Sequence, residues 1–435
     1  MRKAYIVIGA NYGDEGKGLI TDYLSRKFAG NCLVTRFNGG AQAGHTVVDC
    51  KTSKRHVFSH FGAGTLAGAP SFLSEFFIVN PLLFVKELNE LSDKGIDPEI
   101  SISENALVST PFDMLINQAL ERKRGKQRHG SCGVGINETV TRSAILPRYR
   151  IRVKDLLDSR KLEAKLALLE KEWLPLRLSA LDLDLDYLQA QLAGASFANL
   201  NTGFLEALKI MLDKASLARG EAQGQYDVEI FEGAQGLLLG EERMDLFPHL
   251  TRSRTGCANA LKLIERKAKS IEKIENIEII YVTRSYLTRH GAGPLPKEGE
   301  LPPAFSGLGK DQTNVENQFQ GKLRYGPFDP ATLENSINLD LSMRDDNLPV
   351  KPVVALTCLD QLSETNSDLN RLSYPVFYRS YGPDADSIES SSSLVYNSGN
   401  RLLRSDSLEQ VKQIEQDANK RRRRIENCIS IGVAE

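Results

Sequence analysis

Long apolar runs are missing from this 435-residue chain. No stretch approaches the roughly 20 apolar residues a helix needs to cross a bilayer, so no membrane partner is expected. An excess of either charge is missing too. The 55 basic and 56 acidic residues leave a net charge of −1, and no global field would draw the chain to nucleic acid or acidic lipid. Cysteine is scarce and scattered. Cys32, Cys50, Cys132, Cys257, Cys358 and Cys428 show no CxxC spacing, which suits a reducing compartment and argues against structural zinc. The N-terminus runs straight into the strand-like Ala4-Tyr5-Ile6-Val7-Ile8 with no signal-peptide layout. The expected location is therefore the cytoplasm. No internal repeat is found. What remains is the composition of a globular protein: 41% hydrophobic residues and a mean hydropathy of −0.30.

Short β-rich runs recur at Tyr5–Ile8, Leu33–Arg36, Phe77–Val79, Val228–Phe231, Ile277–Thr283 and Val353–Leu356. Helix-like stretches such as Leu82–Leu91 and Pro111–Arg122 lie between them. Alternation of this kind predicts an α/β fold whose mostly parallel sheet is covered on both faces. Residues 151–222 are rich in Leu, Ala, Lys and Glu and poor in Gly. They read as a helical insertion within one domain spanning 1–435. Leu181–Asp186 within it reads equally as a short strand or a helix start. Residues 407–427 read as a C-terminal helix carrying Arg421–Arg424. With no aromatic residues interleaved, that run is better explained as a solvated helix end than as a nucleic-acid contact.

The chemistry is concentrated in two glycine-rich loops. Gly13-Asp14-Glu15-Gly16-Lys17-Gly18 follows the first strand and opens a helix. Backbone N–H groups at a helix start favour anions, and glycine lets the backbone approach a phosphate. Lys17 adds a point charge. The loop fits neither GxGxxG nor the P-loop, because six residues separate Gly9 from Gly16 and Gly18 follows the lysine. Asp14 is the unusual member. A carboxylate beside phosphates needs a bridging cation, so Asp14 could hold Mg²⁺, act as a base, or both. The plain alternative, a turn with solvated acids, leaves three glycines and a lysine unexplained. The second loop, Gly39-Gly40-Ala41-Gln42-Ala43-Gly44-His45-Thr46, also follows a strand. A lone histidine is usually structural, but His45 in that glycine setting is a candidate general acid near neutral pH.

These loops, followed by Phe231-Glu232-Gly233-Ala234-Gln235-Gly236, Phe247-Pro248-His249-Leu250-Thr251 and Thr288-Arg289-His290-Gly291-Ala292-Gly293-Pro294, resemble the signature blocks of the adenylosuccinate synthetase family, in its order and roughly its spacing. Weaker matches fill the gaps, so the resemblance spans nearly the whole chain. It implies a ligase that joins L-aspartate to C6 of a 6-oxopurine nucleotide. The C6 oxygen is first phosphorylated by GTP or ATP, and the aspartate amine then displaces phosphate. By resemblance, Asp14 takes the purine N1 proton and binds Mg²⁺, and Gly44 lends Mg²⁺ a carbonyl. His45 protonates or stabilises the leaving oxygen. Lys17 neutralises the transferred phosphoryl, and Gln235 faces the purine. The triphosphate cradle is Gly13, Glu15, Gly16, Lys17, Gly18, Gly44, His45 and Thr46. Arg324 is assigned to the same nucleotide, and Asp360, Ser430 and Gly432 would meet its base. Gln42, Ala43, Ser131, Cys132, Thr251 and Lys322 would hold the acceptor nucleotide, and Gln320, Lys322 and Arg324 the aspartate. Arg142 matches an arginine that reaches into a neighbouring subunit's site, which implies a homodimer.

The departures from the family pattern cluster around the small molecules. Gln42 replaces Asn, and Ser131-Cys132 replaces a Thr-Thr pair. Cys358 replaces a lysine beside the donor base. The loop Gly321–Asp329 keeps only Lys322 and Arg324 of an arginine-rich aspartate clamp, and lysine cannot offer the bidentate fork of arginine. One branch of the superfamily, found in phages and some archaea, acts on a guanine nucleotide and makes the 2-amino analogue. Most of its phage members lack the acid at the Asp14 position, so its retention here favours IMP. GMP and dGMP stay open as acceptors. A nucleotide-binding sensor on the same scaffold also stays open, as does a kinase that hands its phosphorylated purine to another nucleophile.

Overall fold

Ile6, Val7 and Ile8 are all buried in the structure, a computed structural model that describes residues 2–192, 194–220, 226–270, 274–300, 305, 321–344, 346–361, 369 and 371–391. Continuous burial without alternation marks a strand covered on both faces. It belongs to a ten-stranded sheet of β1 (Arg2–Gly9), β2 (Cys32–Arg36), β3 (Ser71–Leu73), β4 (Ile100–Ser103), β5 (Ser216–Ala218), β6 (Val228–Gly236), β7 (Ile274–Arg284), β8 (Val350–Thr357), β9 (Val376–Ser380) and β10 (Ile388–Ser390). The spatial order is β10-β9-β8-β7-β1-β6-β2-β3-β4-β5. All neighbours are parallel except β9 and β10.

The helices are α1 (Lys17–Lys27), α2 (Pro81–Ser92), α3 (Pro111–Arg124), α4 (Ile136–Ile145), α5 (Ser159–Leu168), α6 (Leu174–Ala180), α7 (Leu185–Ala190), α8 (Phe197–Lys214), α9 (Ala258–Ser270) and α10 (Pro330–Ser342). Local chemistry sets their starts. Asn80 caps α2, and Thr110 with Asp113 forms a capping box on α3, each followed by proline. On one face of the sheet, Leu261, Ile264, Leu333 and Ile337 pack on Ile6, Ile277 and Ile279. On the other, Ile20 and Leu24 of α1 pack on Val7, Val34 and Ile280.

Helices α5–α8 share a third core with α2 and α3 around the buried Trp173. This segment returns to the main sheet as its edge strand, β5 on β4. Leu181–Asp186 resolves as a helix start, because the Asp184 carboxylate accepts the Tyr187 N–H at 2.6 Å. Only Ile78–Val79 of the expected strand Phe77–Val79 forms, in a separate two-stranded sheet with Leu107–Val108. The Phe77 N–H is spent on the Ser74 carbonyl in a turn. The expected helix at 407–427 lies outside the described residues.

The chain leaves β1 for β2–β5 on one side, returns to β6 beside β1, then crosses to β7–β9. The carboxyl ends of β1, β6, β7 and β8 therefore converge at a topological switch point, where open α/β sheets bind ligands.

Candidate active site

The loop after β1 is braced from within. The Glu15 carboxylate turns inward and accepts the N–H groups of Asn11 at 2.7 Å and Gly13 at 3.2 Å. Burial pushes this carboxyl up to about 7, and Lys17 opposes the shift. Glu15 is thus a strut of the cradle whose acidic group is already occupied. Gly16 enters α1 with φ 96° and no side-chain cap, which leaves the first-turn amides of an 11-residue helix available to an anion. Glycine is also required at position 9. A Cβ there would lie 2.4 Å from Glu15 Oε2 and 2.9 Å from Lys17 Nζ. Lys17 is only 4% exposed, and burial lowers its pKa against the pull of Glu15 and Asp14. Asp14 has φ 56°, a left-handed conformation uncommon outside glycine. Its carbonyl accepts the Nε–H of Arg284.

The strand His45–Val48 pairs with Arg55–Phe58 in a hairpin beside α1. His45 Nδ1 lies 2.6 Å from Glu232 Oε1. A carboxylate partner makes Nδ1 the protonated nitrogen. His45 Nε2 is buried with no protein partner. Burial pulls His45 down to about 4, and Glu232 opposes the shift. The imidazole is therefore neutral at rest, and Nε2 is an acceptor. The expected role of His45 as a proton donor therefore requires that Nε2 first receive a proton. Burial also acts to raise Glu232, but His45, Arg36 and the Ala63 N–H together hold it below the usual carboxylate range.

Both loops open on a cleft of about 1200 Å³. Gly13, Asp14, Glu15, Gly16, Lys17, Gly18, Gln42, Ala43, Gly44, His45, Thr46, Ser131, Cys132, Gln235 and Thr251 all line it. Gln42 Oε1 and Nε2 and Gln235 Oε1 are buried there without protein partners. Unpaired buried amide atoms are costly unless a ligand or water meets them. Side chains of α3 pin the Ser131-Cys132 loop. Glu121 accepts the Gly130 N–H at 2.9 Å, and the Asn117 amide donates to Ser131 Oγ at 2.9 Å.

Other expected site residues lie elsewhere. Arg142 has no solvent exposure. Its guanidinium is consumed by Asp113 at 2.8 Å and by the Val108 and Tyr149 carbonyls, so it cannot reach another subunit. The exposed arginine of that stretch is Arg148, whose side chain is 57% accessible. Lys322 and Arg324 do not line the cleft. Arg324 donates to Glu298 at 2.8 Å and to the Gly293 carbonyl at 2.7 Å. Asp360 is exposed in the short turn Leu359–Gln361. That turn follows Thr357, whose hydroxyl donates to the Glu15 carbonyl at 2.8 Å. Gln320, Ser430 and Gly432 lie outside the described residues.

The sequence reading passed over Glu232, Arg284 and the cleft-lining His129, His249 and His290. Glu232, His249 and His290 stand inside blocks already singled out, and an acid directly after the apolar run Val228–Phe231 was the available signal for Glu232. Nothing local marks Arg284 or His129.

A family model for adenylosuccinate synthetase matches residues 6–371. The chain belongs to the adenylosuccinate synthetase family. It is 31% identical to adenylosuccinate synthetase of Trichormus variabilis over 373 residues, which covers 82% of this chain and 75% of that protein. A fully ligated adenylosuccinate synthetase from Plasmodium falciparum has a similar fold, with a TM-score of 0.63 at 19% identity over 89% of this chain and 99% of that one. So does the cyanophage S-2L succinoaminodeoxyadenylate synthetase bound to dGMP and to dATP as energy donor, with a TM-score of 0.53 at 14% identity over 96% and 99%. The family is one of ligases. Among the described residues no helix is long and apolar enough to cross a membrane.

Proposed function

We propose that this ligase joins L-aspartate to C6 of a 6-oxopurine nucleotide, with IMP as acceptor and GTP or ATP as donor. The observation that carries the reading is the meeting of Asp14, Lys17 and the His45–Glu232 pair around one cleft. A binder has no need of a base, a buried cation and an oriented imidazole together. Asp14 accepts the purine N1 proton, which makes O6 nucleophilic. O6 attacks the γ-phosphorus of the donor, and the nucleoside diphosphate leaves. Lys17 and the α1 amides stabilise the charge that develops. The aspartate amine then adds at C6, and the C6–O6 bond breaks with phosphate as leaving group. His45 Nε2, bare at rest, takes the proton that the amine loses as the C–N bond forms and passes it to the oxygen of the leaving phosphate.

The residues present fit Mg²⁺. Among the described residues no group of three or more His, Cys, Asp or Glu side chains could hold a metal. Asp14 and the Gly44 carbonyl, both at the cleft, offer the sparse oxygen set typical of an ion that also binds substrate phosphates. When bound, it would neutralise the β- and γ-phosphates.

A second reading rests on the unpaired Gln42 amide and Gln235 Oε1. Hypoxanthine offers one N–H on its N1 edge, which Asp14 takes. A 2-amino group adds two more donors for the spare amide oxygens, which favours GMP or dGMP. The deciding experiment incubates the protein with Mg²⁺, aspartate and each of IMP, GMP and dGMP, with GTP and with ATP, and reads products by mass. A succinyl adduct on IMP alone supports the first reading, and one on GMP or dGMP the second. Nucleotide binding with no adduct from any pair sinks the ligase proposal and leaves a sensor.

A further inference from the structure

Arg284 ends β7, lines the cleft and is nearly buried, yet the chemistry proposed above gives it no task. Its Nε–H donates to the Asp14 carbonyl. Its Nη1 donates to the Tyr286 hydroxyl at 2.9 Å. That hydroxyl donates in turn to Gln361 Oε1 at 2.6 Å. Gln361 closes the turn Leu359–Gln361, which carries Asp360 and is entered through Cys358 at φ 59°. A continuous chain of hydrogen bonds thus runs from this turn, beyond the end of β8, to the backbone of Asp14. Both ends hold a non-glycine residue in the left-handed region. Such conformations are costly and persist where surrounding contacts over-determine them.

We propose that Arg284 is a positioning residue that couples the turn Leu359–Gln361 to Asp14, so that a base seated against the turn sets Asp14 for the acceptor purine. The inference rests on the proposed ligation, with the acceptor at Asp14, and on the family resemblance, which implies that the donor base meets Asp360. Arginine suits the task because its planar fork fixes two acceptors at once. Lysine offers a point charge with no such geometry. Tyr286 suits it because its hydroxyl accepts from one partner while donating to the other. Its ring is buried against Phe305, with centroids 4.6 Å apart, so loss of the hydroxyl alone leaves the packing in place.

The test is binding cooperativity in the full chain with Mg²⁺, which needs no turnover. Calorimetry gives the dissociation constants of IMP and GMP alone, with inorganic tripolyphosphate, and with the β,γ-imido analogues of GTP and ATP. In the wild type at least one base-bearing donor should tighten an acceptor about fivefold or more beyond tripolyphosphate, the lower range of allosteric coupling. Tyr286→Phe, which keeps the arginine and its charge, should lose this excess. Arg284→Lys and Arg284→Met should lose it as well, and Tyr286→Phe/Arg284→Met should lose no more than either single change. Unchanged excess in a folded Tyr286→Phe protein overturns the proposal, as does a wild type with no excess. A wild type with the excess but no succinyl adduct keeps the coupling and sinks the ligation reading. An adduct without the excess does the reverse.

Discussion

The Glu232 carboxylate decides which nitrogen of His45 meets the cleft. With Oε1 2.6 Å from Nδ1 it holds the hydrogen there and leaves Nε2 without a protein partner, as the proposed relay of a proton from the amine to the leaving oxygen requires. Glu232→Gln keeps the shape but lets an amide N–H face Nδ1, which favours the opposite tautomer. The turnover number should fall by about 10²–10⁴-fold, while the KM values for nucleotides move only a few-fold. Equal losses in KM would mean that Glu232 merely holds the fold. Asp14→Asn should lower turnover by about 10³-fold or more with modest loss of nucleotide affinity, because an amide cannot take the N1 proton. The glycine cradle, Lys17 and His45 were legible because their chemistry is written in adjacent residues. The pairing of Glu232 with His45 was not, since the two lie 187 positions apart. Arg142 was misread for a related reason. Its side chain is claimed by Asp113, 29 residues distant, and no local spacing reports such burial.

At the level of elements, Glu87 on α2 fixes the strand-to-loop passage behind the histidine hairpin. Its carboxylate accepts the N–H groups of Ser59 at 3.0 Å, His60 at 2.7 Å and Phe61 at 3.3 Å, and the Ser59 hydroxyl at 2.6 Å. Two residues further on, the Ala63 N–H donates to Glu232, so α2 supports the orientation of His45 through this loop. Burial works to raise the Glu87 pKa, but His56, His60 and Ser59 outweigh it and hold the carboxyl well below its usual range. A depressed carboxyl stabilises the fold above its unfolded-state pKa of about 4.3, and that contribution fades as pH falls further toward the folded value. Glu87→Ala should therefore cost about 3 kcal/mol near pH 7 from unpaired buried donors. Glu87→Gln should show a smaller loss of melting temperature than wild type between about pH 4.3 and pH 3. An identical acid limb in both proteins would exclude this role. The helix starts and buried strands of this region were readable from caps and apolar runs. Neither the addition of Ser216–Ala218 to the sheet edge nor the support of a hairpin by α2 was, because both depend on contacts between distant segments.

For the whole molecule, the α/β class followed from alternation of buried runs with helical stretches, but the strand order did not, since periodicity carries no record of neighbours across a sheet. The same limit governs assembly. The resemblance implies an arginine donated between subunits, and burial removes Arg142 from that role. Arg148 has the exposure the role needs. It sits on the turn Pro147–Tyr149 with its guanidinium 4.9 Å from the Tyr149 ring centroid and paired to Glu172 at 3.0 Å. A surface pair of that kind contributes little to stability, so Arg148→Leu should leave the melting temperature nearly unchanged. If Arg148 completes the site of a second copy in a two-fold dimer, Arg148→Leu should nevertheless abolish turnover. Mixing it with equal Asp14→Asn protein should then restore activity. Random exchange makes half the dimers mixed, and one of the two sites in each mixed dimer has both residues intact, so recovery should approach about one quarter of wild type. Each protein alone should stay inactive, and recovery should fall on dilution below the dimer's dissociation constant. Full activity of Arg148→Leu, or no recovery in a mixture whose subunit exchange is confirmed by mass, would place the whole site within one chain.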